Sequence, residues 1–77
     1  MGSKAADTGA GFVGVITQDL VDGLVDIMAE ARGVTYATAR EFLVRRIEAK
    51  AEGLEEMGDP TYRDWAQIGR MVARAKP

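Results

Sequence analysis

The sequence predicts an all-α protein: a small three-helix bundle, or an αα-hairpin with an added N-terminal helix, that works as an oligomer. Three observations predict it. Apolar residues recur at spacings of three and four through most of residues 18–75. Gly33 and the run Gly58-Asp59-Pro60 interrupt that pattern where helix stops and starts belong. The bulk available for a core is also small, because the 77 residues include only seventeen Val, Ile, Leu and Phe against twelve Ala. Chains this short bury a small share of their surface and need disulfides, a metal or a partner chain. Cysteine and histidine are both absent. That excludes disulfides and removes the usual ligands of zinc, copper, haem and iron–sulfur centres, so no metal and no cofactor are expected. Association with another chain is the remaining supplement.

Residues 1–11 are small, polar and Gly-rich and read as a disordered leader, leaving 12–77 as a single helical domain. Phe12-Val13-Gly14-Val15-Ile16 fits either an early helical turn or an extended arm laid on a partner. The first helix is expected over about 18–32. Thr17 is its N-cap and Asp19 is favourable in its first turn. Leu20, Leu24, Ile27 and Ala31 recur at helical spacing, flanked by Val21, Val25 and Met28. Gly33 supplies the left-handed residue after the helix, and Val34 the apolar contact of a Schellman stop.

The second helix is expected over about 36–57, capped by Thr35 or by Thr38, the latter in a capping box with Glu41. Tyr36, Arg40, Leu43, Ile47, Lys50, Leu54 and Met57 alternate spacings of four and three, as in a coiled-coil seam. Gly58 ends this helix, Asp59 caps the next, and Pro60 opens a third over about 60–75. Trp65, Ile68, Val72 and Ala75 form its bulky row, while Tyr62, Ala66, Gly69 and Ala73 form a row small enough to admit another backbone. The aromatics Tyr36, Phe42, Tyr62 and Trp65 are expected in the core.

Chemistry has little to draw on. The string Gly9 to Gly14 matches a dinucleotide-binding G-x-G-x-x-G, but no strand precedes it and no room exists for a parallel sheet. Without His or Cys, a nucleophile–base pair has few candidates, and adjacent Glu55 and Glu56 point about 100° apart on a helix. No enzyme is expected. The net charge of −2 argues against a generally basic nucleic-acid coat, and no apolar run is long enough to span a membrane. A cytoplasmic location is the default.

Charge is nevertheless patterned. Asp19, Asp22, Asp26 and Glu30 form an acidic stripe on the first helix, and Arg63, Arg70 and Arg74 a basic one on the third. The resulting expectation is a non-catalytic helical protein that self-associates and binds another macromolecule, a protein before a nucleic acid, as an accessory, regulatory or inhibitory factor. A small protein of a phage or mobile element has this character. Leu43, Ile47 and Leu54 on the second helix, together with the first helix, are the expected association seam. Asp22, Asp26, Arg70 and Arg74 are the expected partner contacts.

An alternative comes from Met28–Phe42, which resembles the helix-turn-helix of bacterial and phage repressors. Ala29 matches the small residue of the first helix, Gly33 the turn glycine and Val34 the apolar residue after it. Ala39 and Phe42 match the buried positions of the second helix. The resemblance implies a DNA-binding regulator whose Thr35, Tyr36 and Arg40, with Ala37 and Glu41, face the major groove. The chain departs from that pattern at Arg32, where an apolar residue is usual, and in the length of its second helix.

Overall fold

The computed structural model describes residues 15–77, which form three helices and no strand. These are α1 (Gln18–Arg32), α2 (Tyr36–Glu56) and α3 (Tyr62–Ala73). The leader, the glycine string and Phe12–Gly14 lie outside the described residues. None of the helices is long and apolar enough to cross a membrane.

Local chemistry sets the helix ends. The Thr17 hydroxyl accepts from the Leu20 amide at 3.2 Å and caps α1. At the other end Gly33 takes a left-handed φ of 66°, its amide donates to the Glu30 carbonyl, and the Val34 amide donates to Ala29. That is the paired-bond Schellman closure. Of the two candidate caps for α2, Thr35 fills the role: its hydroxyl accepts from the Thr38 amide at 3.1 Å. Thr38 therefore sits in the first turn, where it accepts from the Thr35 hydroxyl at 2.9 Å. Gly58, at φ 78°, closes α2 with the same Schellman pair, through the Gly58 amide to Glu55 and the Asp59 amide to Leu54.

The third helix is shorter than the 60–75 expected from sequence. Pro60 does open a helical turn, but Tyr62, Arg63 and Asp64 donate three residues back, so the start is 3₁₀ and regular α-helix begins at Tyr62. The exit tightens likewise, through the Ala75 amide to the Val72 carbonyl. Asp59 holds the entry, its carboxylate accepting from the Thr61 amide at 2.9 Å and the Thr61 hydroxyl at 2.8 Å. These two donors hold its carboxyl below the usual carboxylate range. A lowered native pKa contributes stability that is present above the unfolded value and lost as pH falls through the native one. Asp59→Asn keeps a capping oxygen but cannot titrate, so its melting temperature should fall less between pH 5 and pH 3 than that of wild type, as thermal denaturation will show.

The core is built from small contacts. Val21, Val25 and Ala29 of α1 meet Ala39 of α2, Ile68, Met71 and Val72 of α3, and Ala75 beyond it. Ile16, Met28, Tyr36, Leu43, Val44 and Ile47 pack around them, half-buried. Val25 is the one bulky side chain wholly shut away among the described residues. The most extensive contact joins α2 and α3 as a hairpin, and α1 lies against both. The small row of α3 permits that closeness: a Cβ on Gly69 would stand 3.2 Å from the Cγ2 of Ile47.

The aromatics do not occupy the interior. Tyr36, Tyr62 and Trp65 are half-buried, and Phe42 is 37% exposed. The interior at the helix crossings is filled by Val, Ala, Met and Ile, and spacing this close leaves the rings at the margins, where cations cover them. The Arg32 guanidinium lies 4.7 Å from the Phe42 ring centre, and the Lys50 ammonium 5.5 Å from that of Trp65.

Candidate interaction surface

Helix α1 has two apolar rows, and its rotation decides which one is covered. At 100° per residue, Gln18, Asp22, Val25 and Ala29 lie on one face. The polar pair on that face is tied to the rest of the molecule. Gln18 Nε2 donates to the Met71 carbonyl at 2.8 Å and to Asp22 Oδ1 at 3.0 Å. The same carboxylate oxygen accepts from the Lys76 amide at 3.3 Å, and the Asp22 carbonyl accepts from the Tyr36 hydroxyl at 3.0 Å. These bonds turn Val21, Val25 and Ala29 inward. The opposite consequence is that Leu20, Leu24 and Ile27 stand 56%, 60% and 62% exposed, with Ala31 exposed after them. Three large aliphatic side chains thus stand exposed together on one face of a helix capped at both ends.

Charged groups border the row on both sides. Asp19, Asp26 and Glu30 are exposed along one edge. On the other edge Arg32 stacks on Phe42, whose ring centre also lies 6.0 Å from the Arg46 guanidinium. Val34, just beyond Gly33, is 38% exposed.

The expected association residues are placed differently. Leu43 and Ile47 are half-buried against the chain's own core, and Leu54 is half-buried near the end of α2. Among the expected partner contacts, Asp22 is half-buried and bonded to Gln18 and Lys76, whereas Asp26, Arg70 and Arg74 are exposed. Arg70 donates to the Gln67 side chain one turn earlier and lines a shallow groove between α2 and α3. The floor of that groove is small, with Ala51, Ala66, Gly69 and Ala73, and Glu48, Glu52 and Glu55 stand along its α2 wall.

The residues implied by the repressor resemblance are largely engaged within the molecule. Thr35 is the α2 cap. The Tyr36 hydroxyl donates to Asp22, and burial together with the nearby Asp22 carboxylate raises its pKa above the usual tyrosine value. Arg40 Nη1 donates to the Ala75 carbonyl at 2.8 Å and so ties α2 to the chain after α3.

Among the described residues, groups that do chemistry are not gathered at one place. Among the described residues no buried polar or charged side chain occurs, and no three acidic residues stand close enough together to hold a metal ion. The exposed α1 row was within reach of sequence reasoning as a periodic set, but its exposure to solvent was not. The signal lay in Gln18 and Asp22, two polar residues in register with Val25 and Ala29, and their partners are more than fifty residues away in the chain. Comparison with family models, curated proteins and solved structures finds no match to this chain.

Proposed function

We propose that this chain is a non-catalytic binding protein, an accessory, regulatory or inhibitory factor that acts by stoichiometric contact through the exposed apolar row of α1. The observation that carries the reading is the exposure of Leu20, Leu24 and Ile27 together on one helix face. Taking such a side chain from full exposure to full burial is worth about 1.5–3 kcal/mol, and these three have a little over half of that still to gain, so covering them with another molecule is favourable. Acidic Asp19, Asp26 and Glu30 along one edge give that contact a preferred side and partner choice. Asp26 belongs to this surface, whereas Arg70 and Arg74 offer a separate basic contact on α3. The DNA-binding reading has less support, because Tyr36 and Arg40 spend their polar ends on carbonyl groups of the same chain.

The test is recovery of a partner from the native host with tagged wild type and with Leu24→Lys. Leu24 is exposed, so the variant should keep its helical content and melting temperature while losing the co-purified partner. Equal recovery of one stoichiometric partner by both proteins refutes the α1 face as the binding surface.

A further inference from the structure

A helix that packs one stripe on a core needs an apolar arc of about 100°. α1 has roughly twice that, one half turned inward through Val21, Val25 and Ala29 and the other open through Leu20, Leu24, Ile27 and Ala31. Given that the open row is the binding face proposed above, we infer that its occupant is a second copy of this chain. The two α1 helices lie parallel, related by a two-fold axis running along the helix direction.

Spacing is the first argument. Leu20, Leu24, Ile27 and Ala31 step by four, three and four, the repeat that keeps a seam facing an identical helix. Area is the second. The exposed fractions of Leu20, Leu24 and Ile27 leave roughly 350 Å² of mostly apolar surface open on each copy, within the range of the largest patch a monomer shows. The flanking stems of Arg32, Arg46, Asp26 and Glu30 bring the face toward the ~800 Å² per partner that a stable dimer buries.

Charge decides the orientation. Viewed down α1, Glu30, Asp19 and Asp26 lie about 90–130° to one side of the row's centre and Arg32 about 110° to the other. A two-fold axis across the helices would make them antiparallel and set acidic edge against acidic edge. An axis along the helices sets each acidic edge against the Arg32–Phe42–Arg46 edge of its mate, with Glu30 of one copy at the level of Arg32 of the other. Only this second arrangement is complementary.

Three measurements test it. In size-exclusion chromatography with light scattering at micromolar concentration, wild type should have twice the single-chain mass and Leu24→Lys the single-chain mass, with unchanged circular dichroism. The natural chain has no cysteine, so Ala31→Cys supplies a lone thiol. A parallel pair brings the two copies of that thiol together, and mild oxidation should give a disulfide-linked dimer, whereas Glu52→Cys should not crosslink. Finally, Glu30→Arg and Arg32→Glu should each weaken the dimer several-fold, and the double variant should regain most of the loss.

Wild type at single-chain mass across the micromolar range overturns the second copy as occupant. If Leu24→Lys still loses the host partner in that case, the binding-face reading stands and only this inference falls. A dimer that persists in Leu24→Lys overturns this inference, and the binding-face reading falls with it only if both proteins also recover the host partner equally. A dimer in which the position-31 thiols fail to crosslink and the charge reversal fails to rescue overturns the parallel arrangement.

Discussion

Val25→Asp is expected to leave the chain largely unfolded at neutral pH, while Leu24→Asp, one residue earlier on the same helix, is expected to fold. Val25 is wholly buried and Leu24 is 60% exposed. A carboxylate at position 25 would be shut in the apolar cluster of Val21, Ala29 and the α3 side chains, which costs several kcal/mol. A chain of this length has a total stability of only about 4–12 kcal/mol, and a core with one fully buried bulky side chain belongs at the low end. The introduced carboxyl would have a raised native pKa, so its damage should ease as pH falls from that raised value toward the ordinary carboxylate range and level off below it. Far-UV circular dichroism and urea denaturation of the two variants decide the matter. Equal stability would mean that α1 is not rotated as described.

The next largest effect is expected at Gly69, where α3 approaches α2. A Cβ there would stand 3.2 Å from Ile47 Cγ2, closer than ordinary van der Waals contact. Gly69→Ala gains about 1 kcal/mol in helix propensity and loses a comparable amount to that crowding, so its net effect should be small. Gly69→Leu has no such balance. Its side chain must push Ile47 and the α2 backbone away, and it should destabilise the fold by about 2–3 kcal/mol in urea titration. Ile47→Ala in the Gly69→Leu background should return part of that loss, since the two residues compete for one space. A Gly69→Leu protein as stable as wild type would show that α2 and α3 are not held at this distance.

The helix boundaries were legible in the sequence because they are decided within a few residues. Thr17 caps α1, and Gly33 and Gly58 take the left-handed positions that end α1 and α2. The small row of α3 was legible as a place of close approach for the same reason, since a missing side chain admits a neighbour whichever helix it comes from. Thr35 and Thr38 were not separable as caps of α2, because both precede helix-forming residues. The backbone resolves the choice, Thr35 being extended at φ −71° and ψ 159° with Tyr36 already helical. The start of α3 slipped from Pro60 to Tyr62, because Asp59 draws the Thr61 amide and hydroxyl into a tight turn first.

Which apolar row faces water was less legible. Leu43 and Ile47 share a seam with Tyr36 and Arg40, and a seam on a long helix reads equally as an association face or as the inner side of a hairpin. The small row of α3 takes it as the inner side.

By itself, the amino-acid order determined that this protein is helical, where its first two helices stop, and that alanine and glycine would let the helices pack closely. Those properties follow from interactions spanning one or two turns. Which way α1 is rotated, and so which of its two apolar rows faces water, was decided only by the tertiary structure. The deciding bonds run from Gln18 and Asp22 to Met71 and Lys76, and from Tyr36 back to Asp22. Contacts across that much chain exist only once all three helices have met, so no local pattern can announce them.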